Sequence, residues 1–306
     1  MVERHKITAD RGLSARMGVT MFMLFMLYAA VFGALIAIGI SAVIVLVIAA
    51  AVIFVQYWFS ASIALYAMGG REVTASQAPQ LHAVVDRLCA MANMRKPRVA
   101  IASSDIPNAF ATGRSPNSAV LCVTTGILHR LNEQELEAVL AHELSHVAHR
   151  DVAVMTIASF LGIVAGVVTR IALYADMLGG LDVTGNDGDQ AALLELAVLA
   201  VSALIYAISF LLTRALSRYR ELAADRSGAI LIGRPSILAS ALVKVTGEMA
   251  RIPTRDLRSA EHFNAFYFAP AISKGVSLST LFSTHPPLQK RLDQLAKLES
   301  EMNRPA

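Results

Sequence analysis

The sequence predicts a mainly α membrane protein in which a four-helix transmembrane region carries an α+β domain on one side of the bilayer. Three observations lead there. The 306 residues are 55% apolar and only 16% charged, whereas a soluble domain carries about 25% charge. Residues 17–70 contain no charged side chain; as one helix they would extend about 80 Å, too long for one bilayer core of roughly 30 Å and suited to two crossings. Outside those crossings about 230 residues are left, enough for one globular core with insertions.

Residues 1–18 form a basic amino-terminal segment with Arg4, Lys6, Arg11 and Arg16. The apolar run behind it is far longer than the 7–15 residues of a cleavable signal, so the sequence predicts a retained segment. The first crossing is expected over 19–38 and the second over 42–65, joined by a short connection at 39–41, so that 19–70 forms a helical hairpin. The basic start and Arg71 then lie on the same side, which the positive-inside bias makes cytoplasmic.

Two further uncharged runs, 152–169 and 196–213, are each just long enough to span. The segment 175–190 between them holds Asp176, Asp182, Asp187 and Asp189 without Lys or Arg, Arg170 at the end of the third run can reach the outer interface with its long side chain, and Arg150, Arg214, Arg218 and Arg220 flank the opposite ends. This pattern predicts a second transmembrane hairpin over 152–213 with an outward acidic loop; a buried helical hairpin of a soluble domain is the alternative. The extramembrane domain is therefore expected in two parts, 71–151 and 214–306. The net charge of +4 is not gathered into a basic stripe, so no nucleic-acid partner is expected. The lipid bilayer is. Cys89 and Cys122 suit a reducing compartment and offer no metal-ligand spacing.

Within 71–151, Leu81, Val84, Val85 and Leu88 recur at helical spacing and predict an amphipathic helix over 77–91. Residues 97–102 and 118–124 read as strands. Between them Asn108, Ala109, Phe110 and Ala111 lead an extended stretch to residue 112, whose edge would take a substrate backbone by β-augmentation. An ordinary hairpin in a small sheet explains the same pattern.

The most informative stretch follows. Asn132 and Glu135 form a capping box and Leu131 with Leu136 the matching hydrophobic staple, so a helix starts at Asn132. It carries His142-Glu143-Leu144-Ser145-His146. The four-residue spacing sets both imidazoles on one face, within reach of one zinc ion, with Glu143 beside them to take a proton from the attacking water. Two structural histidines are the alternative. Glu221 and Asp225, also one turn apart, follow the last apolar run; Glu221 could supply the third protein ligand and Asp225 support it from behind. His142 lies about 15 Å of helix before the third apolar run and Glu221 about 12 Å after the fourth, so a membrane hairpin would bring them to similar height. His149 ranks below Glu221 as a ligand. Asp151 stays open between pairing with Arg150, orienting a ligand and a membrane-proximal helix position. Arg291 either locks the His285 segment through a carboxylate or covers a helix face, a structural role being favoured. Residues 247–268 suggest a loop or broken helices; His262 is not included in the site, and burial explains Phe263, Phe266, Tyr267 and Phe268 more simply than substrate binding.

These stretches resemble the HtpX-type membrane zinc metallopeptidases of the M48 family. The resemblance spans essentially the whole chain: the amino-terminal hairpin, NAFATG at 108–113, HELSHVAHRD at 142–151, SRYRELAAD at 217–225 and STHPPLQKRL at 283–292. It implies a cytoplasmic α+β zincin-like metallopeptidase domain with one zinc ion per chain on His142, His146 and Glu221. It further implies Glu143 as general base, Asp225 orienting a histidine and His285 near the reacting carbonyl. The implied activity is endopeptidase cleavage of misfolded or damaged membrane-associated polypeptides, with membrane quality-control proteins as further partners. The implied location is the bacterial cytoplasmic (inner) membrane, multi-pass, with the active site facing the cytoplasm. A noncatalytic membrane scaffold with a structural zinc is the runner-up. A transporter ranks lower, because the candidate ligands lie outside the apolar runs.

Overall fold

The computed structural model describes residues 11–37, 42–113, 115–151, 154, 155, 158, 188–251 and 285–304. Almost all of the expected third crossing, the acidic loop and the aromatic stretch around His262 to Phe268 lie outside the described residues.

Helices α1 (Arg11–Ala37) and α2 (Ala42–Met68) each run 27 residues. Among the described residues no helix is long and apolar enough to cross a membrane. The chain then enters a four-stranded sheet of order β1-β2-β4-β3. Strand β1 (Gly70–Glu72), not foreseen from the sequence, pairs antiparallel with β2 (Arg98–Ala102). Between them runs α3 (Pro79–Ala92), which buries the predicted Leu81, Val84, Val85 and Leu88. Strand β2 is parallel to β4 (Val120–Thr124), and β3 (Ala109–Thr112) is antiparallel to β4. The stretch expected to begin β4 at residue 118 is instead a 3-10 turn, Pro116–Ser118, because Pro116 has no N–H to give a ladder.

All five residues of β4 are buried, as in a strand covered on both faces. The pleat divides them. Leu121 and Val123 join the main core with α3 and the helices that follow. Val120 and Cys122, with Phe110 of β3, pack against Ala61, Ala64, Leu65 and Met68 at the end of α2. The end of α2 is thereby fastened to the back of the sheet.

After the short α4 (Thr125–Arg130) come α5 (Glu133–Ala148), the 45-residue α6 (Gly188–Ile232), α7 (Pro235–Arg251) and α8 (Leu288–Met302). Helix α6 carries its apolar first half without a break into the charged stretch beyond residue 213. Leu24 of α1 packs with Ala158 and with Leu216 of α6, and Tyr28 and Thr213 both donate to the Ala158 carbonyl at 3.5 and 3.1 Å.

Candidate metal centre

Helix α5 begins as predicted. The Asn132 side chain accepts from the Glu135 amide at 2.9 Å, and the Glu135 carboxylate accepts from the Asn132 amide at 3.0 Å. Glu135 also takes Ser240 at 3.0 Å and Lys244 at 2.8 Å, tying the start of α5 to α7. Farther along, α6 crosses α5 at very close range. A Cβ on Gly228 would lie 2.8 Å from the His142 amide nitrogen and 2.9 Å from its Cα, so only glycine permits this approach.

That crossing brings together residues almost eighty positions apart. The Nε2 atoms of His142 and His146 are 3.2 Å apart. Glu221 of α6 faces both, with Oε2 3.7 Å from His142 Nε2 and Oε1 3.4 Å from His146 Nε2. Ligand atoms of all three residues lie within 4.8 Å of one another, in a group that could hold a metal ion.

Each histidine presents Nε2 to the centre and Nδ1 to a carboxylate. His142 Nδ1 is 2.9 Å from Asp225 Oδ1, and Arg291 of α8 donates to both Asp225 oxygens, at 2.7 Å from Nε and 2.6 Å from Nη2. His146 Nδ1 is 2.6 Å from Asp151 Oδ2, and Asp151 pairs in turn with Arg220. His285, just before α8, brings Nδ1 to 2.9 Å from Glu221 Oε2. Glu143 lies next to the pair, with its Oε2 accepting the Ala111 backbone N–H at 3.1 Å. The bond joins the motif helix directly to β3, the end strand of the sheet.

The charges suit a cation. Burial pushes His142 below its ordinary value, although Asp225 opposes this, and so favours the neutral imidazole that ligates metals. Burial also acts to raise Glu221 and Asp225, but His285 and His146 around the first, and Arg291 and His142 around the second, hold both below the usual carboxylate range. Burial acts to lower His146, but Glu221 and Glu143 together hold it above its ordinary value. Burial, reinforced by Glu221 and opposed by His146, raises Glu143 to about 8. Two imidazoles and a carboxylate converging on one point are a donor set that could hold a metal ion.

Residues 75–299 match the family model described as Peptidase family M48. The chain belongs to peptidase family M48. It is a metalloprotease of that family, and proteins from diverse sources are similar to it along nearly their full length. Protease HtpX homolog 1 of Streptomyces coelicolor is 58% identical, the match covering 97% of this chain and 96% of that one. Protease HtpX homolog of Moorella thermoacetica is 51% identical, over 98% of each chain. The crystal structure of S. mikatae Ste24p shares the fold at 14% identity with a TM-score of 0.50; the alignment covers 91% of this chain and spans 62% of that protein's length.

As an M48 member the chain groups His142, His146 and Glu221 as its sequence led one to expect, with Glu143 alongside and Asp225 behind His142. The other residues are distributed less simply. Asn108 and Phe110 are buried and Ala109 is also enclosed, while Ala111 is half-buried with its amide on Glu143. His285 contacts the carboxylate of Glu221. His149 caps the end of α5 and stands outside the donor group. The carboxylate partner expected for Arg291 is Asp225, and through it the His285 segment is fixed to α6. In the sequence Asp151 admits several roles and Arg220 only a topological one. No spacing rule links the two: their meeting depends on how α6 lies against the turn after α5.

Proposed function

We propose that this M48 metalloprotease is a membrane-embedded zinc endopeptidase that hydrolyses peptide bonds in misfolded or damaged membrane-associated polypeptides as part of membrane protein quality control. The observation that carries the reading is the convergence of His142, His146 and Glu221, with ligand atoms within 4.8 Å of one another, beside the carboxylate of Glu143. One zinc ion per chain would be held by these three side chains. Zinc, when bound, supplies Lewis-acid activation of water and of the scissile carbonyl.

The chain's own groups do the rest. Glu143 accepts the proton of the attacking water and delivers it to the leaving nitrogen; the Ala111 amide holds its carboxylate in place. His285 donates toward charge developing on the carbonyl oxygen, in the space next to Glu221. Asp225, braced by Arg291, fixes the His142 ring with Nε2 inward. Ala109, Phe110 and Ala111 lie in the end strand with Asn108 just before it, where an extended substrate would add its backbone to the sheet.

The membrane part of the proposal has its own support. Helices α1, α2 and α6 expose Phe22 and Phe25, Phe54 and Trp58, and Val201 and Leu204, each about half or more of its surface. Bands of this kind on a water-exposed surface are unusual, whereas in lipid they are ordinary. With the charge-free stretch 17–70 and the basic residues flanking it, this supports hairpins over 19–70 and 152–213. The peptidase parts, 71–151 and 214–306, then face the cytoplasm at a bacterial inner membrane.

The test uses the full chain in detergent. Glu143→Gln should retain zinc at the parent stoichiometry and lose cleavage of an unfolded polypeptide by at least about 100-fold. Retained zinc with unchanged cleavage would reject the general-base role.

A further inference from the structure

The two histidines of the centre are supported in the same manner, each by a carboxylate that is paired in turn with an arginine. Behind His142 stand Asp225 and Arg291. Behind His146 stand Asp151, 2.6 Å from Nδ1, and Arg220, paired with the other oxygen of the same carboxylate. Asp151 is 7% exposed and Arg220 4%, so the pair is shielded from solvent like the ligands it adjoins.

The local backbone is shaped for this contact. Helix α5 ends at Ala148, and Arg150 then adopts φ 57°, a left-handed conformation that costs a non-glycine residue about 1 kcal/mol or more. The turn carries Asp151 back toward the last helical turn and under His146. Arg220 comes from α6, one residue before Glu221. The pair thus links the second histidine on α5 to the helix that supplies the candidate carboxylate ligand.

We infer that Asp151 and Arg220 form a positioning pair for His146: Asp151 accepts from Nδ1–H and so leaves the Nε2 lone pair facing the centre, while Arg220 fixes Asp151 in register with Glu221. The inference rests on the proposed zinc site. Neither residue touches substrate. Their effect is on the orientation of a ligand, and outer partners of ligating histidines change metal affinity by about 10- to 100-fold.

The test is zinc affinity by chelator competition on the full chain in detergent, together with the absorption spectrum of the cobalt-loaded protein and the thermal midpoint of the metal-free protein. Asp151→Ala should weaken zinc about 10- to 100-fold and alter the cobalt spectrum. Arg220→Met should weaken zinc several-fold and Arg220→Lys should restore most of that loss. In the Asp151→Ala background, Arg220→Met should add nothing to the zinc effect, because its influence passes through the carboxylate. A merely structural ion pair would lower the metal-free midpoint and leave affinity and spectrum alone. Zinc affinity within twofold of the parent in Asp151→Ala overturns the inference, as does an equal loss from Arg220→Met with and without Asp151. Should Asp151→Ala fail to fold, Asp151→Leu, of similar bulk and without an acceptor, is judged by the same affinity threshold. A parent chain that binds no zinc would reject the metal site itself, an outcome distinct from a parent that binds while the variants match it.

Discussion

The two halves of α6 follow opposite rules. Its earlier half turns Val201, Leu204, Tyr206 and Leu211 outward and exposed, while its later half buries Arg220, Glu221, Asp225 and Ser227. One continuous helix therefore exposes what water disfavours and encloses what water would solvate. The second half escapes the cost of buried charge because each charge has a named counterpart: Arg291 for Asp225, Asp151 for Arg220, His285 and both motif histidines for Glu221. Among its described residues, the first half exposes Val201, Leu204, Tyr206 and Leu211, which on the proposed reading is the side that faces lipid. The difference shows that a site far from the aqueous norm can be built from ordinary helix if partners arrive from several other elements.

The harshest way to break the comparison is to remove one such partner. Arg291→Met keeps much of the side-chain length but leaves Asp225, itself 0% exposed, facing His142 without its bidentate cation. Uncompensated buried charges of this type cost about 3–5 kcal/mol. The metal-free protein should show a correspondingly large fall in thermal midpoint, and a midpoint unchanged within error would mean that Asp225 is not held as an anion by Arg291.

The next effect depends on pH. Glu143 differs from its neighbours because burial raises it to about 8 against 4.5 for the free group. Below pH 4.5 the carboxyl is protonated folded or unfolded and contributes no difference. Between 4.5 and 8 the unfolded chain releases a proton that the folded chain keeps, so stability from this group falls as pH rises, reaching its full penalty above about 8. Glu143→Gln should therefore stabilise the metal-free protein, by about 4–5 kcal/mol at pH 8.5 if the whole shift is expressed, and little at pH 4.5. Thermal midpoints of the two proteins across that range should diverge upward; parallel curves would refute the raised value. Zinc loading should shrink the gap, since a nearby cation favours the ionised carboxylate.

How much of this could be read beforehand depended on the range of the interaction. The capping box at Asn132 and Glu135, the buried face of α3 and the shared face of His142 and His146 follow from neighbours three or four positions apart, and local patterns disclose them. Glu221 and Asp225 could be matched to the motif from their helical spacing and family resemblance. Strand β1 has almost no periodic signal, being three residues after an apolar helix, and its pairing with β2 gives it its conformation. The Asp151–Arg220 contact and the Ala111 amide on Glu143 were equally invisible. They are properties of how α6 and β3 approach α5, and sequence spacing does not encode that approach.

Gly228 is where that approach is tightest, and it gives a milder perturbation. Gly228→Ala introduces one methyl against the His142 backbone at 2.8 Å, a contact that rigid main chain cannot relieve without separating the helices. Overpacking of this size costs about 1–3 kcal/mol, and helix propensity returns up to about 1 kcal/mol of it. The net loss in midpoint should be modest, but zinc affinity should fall as well, because the shift separates Glu221 from the histidines. Loss of stability with unchanged affinity would show that the centre tolerates movement of α6.

The smallest effect is expected in the outward half of the same helix. Leu204 is 60% exposed, so shortening it removes contacts with surrounding solvent or detergent rather than with protein. Leu204→Ala in detergent should change the thermal midpoint by no more than about 0.5 kcal/mol equivalent, the range of ordinary surface substitutions. A buried leucine truncated in this way typically loses 2–5 kcal/mol, so the two possibilities are well separated. A loss in that larger range would mean that protein covers Leu204, and the contrast between the halves of α6 would then be one of partners on both sides rather than of two solvents.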